Sequence, residues 1–178
     1  MRLVPTEPPQ LVTFGMNFYD LRDNLGFMRS NDMGRTWELF GPELRNRLIS
    51  NFGVSSDGQV IYASEQDVYF GWISRDGGET WTQSAEHQVN GPIAVSPVNP
   101  NLVLFASSGA VRRSTNGLST VEVVMTTPST VREIVFAPSD PNVVYAETDG
   151  YVLYRSDDAG LTWRLVVNVR DEVLNVQP

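Results

Sequence analysis

The sequence contains no cysteine, no lysine and only one histidine, His87. Without cysteine there are no disulfides, thiolate metal ligands or cysteine nucleophiles, and one histidine cannot build a multi-histidine metal centre. All 13 basic residues are arginines, which excludes a Schiff-base or lysine-based mechanism. We therefore expect neither a metal nor a cofactor.

Positive charge and long hydrophobic runs are also scarce. A net charge of -8 disfavours nucleic acid, because affinity for phosphate backbones depends on basic groups. No apolar run approaches the ~18 residues of a membrane-spanning helix, so we expect no membrane insertion. The first residues, MRLVPTEPPQ, lack the apolar core of a secretory signal. The compartment stays open: cytoplasmic, or secreted or cell-surface if a leader has been removed.

One pattern, Ser-x-Asp-x-Gly-x-Thr-Trp, recurs along the chain. It is intact as SNDMGRTW from Ser30, SRDGGETW from Ser74 and SDDAGLTW from Ser156, and it has decayed to STNGLSTV from Ser114. The spacing is ~42 residues, within the range of repeat architectures. A catalytic group is needed once, whereas the turn of a stacked unit is needed in every copy. The pattern therefore predicts a structural repeat.

The segments before the pattern also repeat, as PIAVSPVNPNLVLFASSGAVRRS and EIVFAPSDPNVVYAETDGYVLYRS. They are short β-branched and aromatic runs separated by turn residues, which is typical of strands. Four short antiparallel strands per repeat are typical of a propeller blade. The sequence predicts an all-β, single-domain propeller over 1–178. Its four blades are expected at roughly 5–40 plus 172–178, 47–84, 91–126 and 132–168.

The tail EVLNVQP resembles the inner-strand phrases PIAVSP and EIVFAP. Ahead of Pro5 the first unit has at most a stub of its own first strand. An unpaired strand exposes backbone donors and acceptors, so we expect Glu172 to Pro178 to complete the first blade. The tail can do this within one chain, or between two chains as an eight-blade homodimer. A fragment of a longer natural chain is the third possibility.

The repeated boxes resemble the Asp-box, or BNR, repeats of sialidases, xyloglucan-cleaving glycosidases, sortilin-type receptors and the photosystem II assembly factor of oxygenic phototrophs. The resemblance implies that the boxes lie at the blade periphery, away from the face that binds ligands. Box residues are accordingly interpreted as structural. They are Ser30, Asp32, Gly34 and Trp37; Ser74, Asp76, Gly78 and Trp81; and Ser156, Asp158, Gly160 and Trp163.

Candidates for ligand contact come from the opposite loops, which join the second strand to the third and one blade to the next. In a propeller these loops share one face. The first unit has the longest such loop, MNFYDLRDN. The predicted ligand-face residues are Tyr19, Asp20, Arg22, Arg47, Asp67, His87, Asp149 and Arg170.

Three functions are compatible with this face. The first is noncatalytic binding of a protein or a glycan. The second is glycoside hydrolysis, either sialidase-like or by two carboxylates ~5 to 10 Å apart; the former draws on Tyr19 with Asp20 and on Arg47, Arg132 and Arg170, the latter on Asp67, Asp149, Asp171 and Glu172. The third is an assembly factor with an arginine-lined face. Trp72, the one tryptophan outside a box, is expected in blade packing rather than as a sugar platform.

Overall fold

A computed structural model describes residues 1–15, 25–66, 71–84 and 89–168 of the chain. It divides into two compact units, Met1–Asn90 and Gly91–Pro178, and each unit contains two four-stranded antiparallel sheets. Helix is limited, in this part of the chain, to one 3₁₀ turn at Pro42–Leu44. None of the described helical structure is long and apolar enough to cross a membrane.

The first unit holds blades 1 and 2. The strands of blade 1 are β1 (Arg2–Val4), β2 (Gln10–Gly15), β3 (Gly26–Ser30) and β4 (Glu38–Phe40). Those of blade 2 are β5 (Ile49–Val54), β6 (Ile61–Glu65), β7 (Gly71–Ser74) and β8 (Thr82–Ser84).

The second unit holds blades 3 and 4. Blade 3 consists of β9 (Ile93–Val95), β10 (Val103–Ser107), β11 (Ala110–Ser114) and β12 (Glu122–Thr126). Blade 4 consists of β13 (Val131–Ala137), β14 (Asp140–Thr148), β15 (Val152–Ser156) and β16 (Arg164–Asn168).

Every sheet pairs its strands in chain order. The second strands β6 and β10 are buried along their whole length, which explains why their sequences, IYASE and VLFAS, lack the polar alternation of a half-exposed strand. Fourth strands are the most exposed, and β12 has no fully buried residue. The prediction of an all-β protein made of four propeller blades, each with four antiparallel strands, is confirmed.

Each unit has its own hydrophobic core between its two blades. In the first unit the ring of Phe27 lies at the centre, with Phe14 and Phe52 edge-on at 5.0 and 5.2 Å between centroids. In the second unit Leu104 and Ala106 pack with Ile134, Val144 and Ala146. Because each core takes residues from both blades, a single blade cannot bury its apolar face alone.

The first blade requires one correction to the sequence analysis. Its first strand is β1, Arg2–Val4, which pairs with β2 in the register Arg2↔Val12 and Val4↔Gln10. The segment taken for a stub is therefore a three-residue strand, as short as β9. Val4 is buried in the core, and Arg2 Nε donates to the carbonyl of Phe52 in blade 2. The position assigned to Glu172–Pro178 is thus filled by the N-terminus, and the tail itself lies outside the described residues.

Candidate functional site

The Asp-boxes form turns between the third and fourth strands, and the three intact boxes share the same pattern of hydrogen bonds. In the first, Ser30 Oγ donates to Asp32 Oδ1 at 2.7 Å and accepts from the Gly34 amide at 2.8 Å. The amide and hydroxyl of Thr36 donate to the two carboxylate oxygens of Asp32 at 2.8 and 2.6 Å. Trp37 Nε1 donates to the Gly34 carbonyl at 3.1 Å. The carboxylate therefore holds the turn closed.

These hydrogen bonds stabilise the ionised form of the aspartates. The pKa values of Asp32, Asp76 and Asp158 are lowered from 3.8 to about 2, chiefly by the hydroxyl of the box threonine and then by its backbone amide. A carboxyl group with so low a pKa is a poor proton donor near neutral pH. The boxes consequently offer structural support rather than acid catalysis.

The decayed box of blade 3 keeps the turn with different atoms. Asn116 Oδ1 accepts from Ser114 Oγ at 3.0 Å and from the Thr120 amide at 2.8 Å, so the amide replaces the carboxylate. Leu118 takes the glycine position with a φ of 70° and is buried. The turn therefore survives the loss of the charge, of the glycine and of the tryptophan.

The box tryptophans differ in their surroundings. Trp81 stacks on Phe27 of blade 1, with 5.1 Å between ring centroids and 14° between planes. Trp163 packs against the core of the second unit, whereas Trp37 is 41% exposed. In the first unit, Gly41 lies beneath Trp81 so closely that a Cβ there would be 2.9 Å from the indole nitrogen. The box of blade 2 thus joins two blades as well as two strands.

We call the end of each blade opposite its Asp-box the loop face; in the described part of the chain it holds the connections 41–48, 108–109, 127–130 and 149–151. Two predicted ligand-face residues, Arg47 and Asp149, lie there in described structure. The other six lie outside the described residues. They are Tyr19, Asp20, Arg22, Asp67, His87 and Arg170.

Arg47 belongs to a polar cluster on blade 2. Its Nη1 lies 3.2 Å from each carboxylate oxygen of Glu65, and its guanidinium lies 4.5 Å from the centroid of the Trp72 ring. Trp72 Nε1 donates to Glu65 Oε2 at 2.8 Å. Glu65 is buried at the end of β6. A buried carboxylate needs such partners, and here two charge-assisted bonds and a cation–π contact fix the arginine in place.

Asp149 borders an open cleft on blade 4. Arg132 Nε donates to Asp149 Oδ1, and the amide of Asp149 donates to the Thr130 carbonyl at 2.8 Å. The cleft has a volume of about 560 Å³. Its lining residues are Arg132, Glu147, Thr148, Asp149, Gly150 and Tyr151.

Sequence reasoning did not select Glu65, Glu147 or Tyr151. Glu65 ends a strand whose other residues read as core, and its pairing with Arg47 spans 18 positions, so no local pattern reveals it. Tyr151 follows Gly150 in the turn between β14 and β15 and is 68% exposed with a φ of 61°. An exposed aromatic residue in a left-handed turn is the signal that was available. Trp72 contributes to the first unit's core and also bonds Glu65.

Within the described ranges, no group of three or more histidine, aspartate or glutamate residues is placed to hold a metal ion. The loop face there offers arginine donors, carboxylate acceptors and aromatic rings. Such groups recognise peptide side chains, peptide backbones or sugar hydroxyls.

Comparison with protein families identifies one repeat directly. The BNR/Asp-box repeat model matches residues 72–83, which include the second box. No curated protein matches the chain.

Solved structures match over most of the chain at low identity. A GH74 enzyme from Niastella koreensis is 19% identical with a TM-score of 0.61, over 80% of this chain and 26% of its own. YCF48 bound to D1 peptide is 18% identical with a TM-score of 0.52, over 67% and 40% respectively. A chain of a nidogen/laminin complex is 15% identical with a TM-score of 0.67, over 89% and 61%. The chain thus spans less than two thirds of each of these structures, and the likeness shows the fold.

Proposed function

Because its repeats and its blades assign this chain to the Asp-box (BNR) β-propeller superfamily, we propose that it is a noncatalytic binding module or scaffold. In this proposal the loop face recognises a protein or a glycan. The Asp-boxes at the other end of the blades maintain the fold and do not touch the ligand.

The observation that carries the proposal is the pairing of loop-face carboxylates with arginines. Glu65 is bonded by Arg47 and Trp72, and Asp149 is bonded by Arg132. A carboxylate bonded to a guanidinium is fixed in position by that partner, whereas a glycosidase acid must be free to donate its proton to the leaving group. Carboxylates and arginines fixed in this way are suited to recognition.

The structural neighbours support both ligand classes without deciding between them. YCF48 is described as bound to D1 peptide, and nidogen and laminin form a complex. These two favour a protein partner. GH74 enzymes favour a carbohydrate. Sequence identity to these structures is at most 23%, so they support the fold only. The residues of this chain's own loop face determine which ligand it binds.

Glycoside hydrolysis remains the second candidate, and one observation favours it. Glu147 and Asp149 line the same cleft on blade 4, and glycosidases use a pair of carboxyl groups. Asp149 is bonded to Arg132, so in this alternative Asp149 serves as the nucleophile or base and Glu147 as the proton donor.

The test uses peptide and glycan arrays with a matched pair of arginine variants. Arg132 and Arg164 are both exposed on blade 4 and paired with aspartates, Arg132 at the loop face and Arg164 beside the Asp-box. For a ligand found on either array, Arg132→Gln is expected to change the affinity at least about tenfold, because it breaks the ion pair that this arginine forms with Asp149 at the loop face. Arg164→Gln is expected to leave it unchanged. The absence of any ligand, or equal effects of the two changes, would contradict the proposal.

A further inference from the structure

Two residues of the cleft on blade 4, Glu147 and Tyr151, are suited to contact a ligand. Glu147 lines the cleft near the end of β14, and among the described residues Glu147 takes part in no ion pair. Tyr151 lines the same cleft and is 68% exposed. An exposed aromatic ring beside an unpaired carboxylate offers a cation both a ring face and an opposite charge.

Blade 2 already shows how this protein satisfies such a combination. There a carboxylate, an aromatic ring and a guanidinium meet as Glu65, Trp72 and Arg47, with the guanidinium over the ring and bonded to the carboxylate. Blade 4 offers a carboxylate, Glu147, and a ring, Tyr151, at the same end of its sheet, and no arginine of the part of the chain that the structure describes forms an ion pair with Glu147. Arg132 is engaged with Asp149 instead.

Charge favours a cationic occupant over a neutral one. Arg132, Glu147 and Asp149 together leave the cleft with one net negative charge, and the whole chain carries -8. Such a field attracts basic partners and repels acidic ones. A neutral sugar gains nothing from it. The volume of about 560 Å³ accommodates a long basic side chain.

We propose that the cleft formed by Glu147, Tyr151, Asp149 and Arg132 binds an arginine side chain of a basic segment in a partner protein. The guanidinium bonds Glu147 and stacks on the Tyr151 ring. This inference rests on the proposed function, because it names the partner chemistry of one part of the loop face.

The experiment measures binding of a fluorescein-labelled peptide, Gly-Arg-Gly-Arg-Gly, to the full chain by fluorescence anisotropy at low salt. The comparison peptide has citrulline in place of both arginines, which keeps the shape and removes the charge. The arginine peptide is expected to bind at least about tenfold more tightly, and added salt is expected to weaken its binding.

Variants assign the binding to the cleft. Glu147→Gln is expected to reduce affinity for the arginine peptide at least about tenfold. Glu122→Gln removes the same charge from β12 of the same unit, at the Asp-box end, and is expected to have no such effect. Tyr151→Phe keeps the ring and is expected to retain binding, whereas Tyr151→Leu is expected to weaken it. Thermal melts show whether each variant is folded. If Tyr151→Leu does not fold, the result for Glu147→Gln decides whether the cleft is the binding site.

Several results would overturn the inference: no binding of the arginine peptide, equal binding of the citrulline peptide, or equal effects of Glu147→Gln and Glu122→Gln. A xyloglucan oligosaccharide serves as the third probe. If the arginine peptide does not bind while the oligosaccharide does, and Arg132→Gln changes the affinity for the oligosaccharide, the arginine site is refuted and loop-face binding stands. If no array ligand and no probe binds, both fail together.

Discussion

A glycine-to-alanine comparison within the first unit tests how the Asp-box joins blades. Gly78 and Gly34 hold the same box position in blades 2 and 1, with φ angles of 92° and 90°. A Cβ on Gly34 meets ordinary contacts, the nearest at 3.6 Å from Leu11. A Cβ on Gly78 falls 2.5 Å from Cδ2 of Phe40 and closer still to Cε2. The two substitutions therefore share a backbone cost and differ in packing.

The magnitudes follow from that difference. Placing an L-residue in the left-handed region costs roughly 1–2 kcal/mol, and this applies to both variants. Overpacking a core adds about 1–3 kcal/mol, and it applies to Gly78→Ala alone, because Phe40 is buried against Phe27 and cannot swing away freely. We expect Gly34→Ala to lower the free energy of unfolding by about 1–2 kcal/mol and Gly78→Ala by about 2–5 kcal/mol.

Urea denaturation followed by tryptophan fluorescence measures both variants against the parent protein. Equal m-values are required, so that a change in midpoint reports a change in stability. Losses that agree to within ~0.5 kcal/mol, the usual scatter for independent sites, would refute the idea that this box glycine is selected for contact between blades. It would then be explained by its backbone conformation alone.

Three further outcomes are expected. The free energy of unfolding is expected to fall as pH drops from about 4 toward 2. Asp32, Asp76 and Asp158 have pKa values of about 2 in the folded chain, so these aspartates are protonated at higher pH in the unfolded chain than in the folded one. Denaturation midpoints that do not change over this range would contradict this expectation. Asp158→Ala is expected to cost ~1–3 kcal/mol by leaving turn amides unpaired, with ligand affinity of the folded fraction intact; lost affinity at full stability would assign Asp158 to the site. Glu65→Gln is expected to cost about 1–2 kcal/mol and to shift the emission of Trp72, whose indole it accepts from, and an unchanged spectrum would count against that bond.

The architecture could be predicted because the same sequence signals recur in successive repeats. Each box fixes one turn, and the phrases around Pro97 and Pro138 fix the strands before it. The first strand of blade 1 was not recognised because three residues, Arg2–Val4, are too short to form a pattern by themselves. They form a strand because β2 supplies their partners and the core buries Val4, which are tertiary effects.

The loop face was predicted only as a location. Arg47 and Asp149 were assigned to it from the order of strands and turns, yet their partners come from other segments: Glu65 from β6 and Arg132 from β13. Pairings between strands depend on register, which a single sequence does not state. The exposure of Tyr151 likewise becomes visible only once the turn between β14 and β15 is in place.

The central claim, that the loop face binds without catalysing, is tested most directly by prolonged incubation of the full chain with xyloglucan and with aryl glycosides, followed by mass spectrometry of the products. The account predicts no cleavage beyond that of a protein-free control, even for a glycan that the array shows to be bound. Release of shorter glycans that Glu147→Gln or Asp149→Asn abolishes, while Asp158→Asn leaves it intact, would contradict the account and establish a glycoside hydrolase.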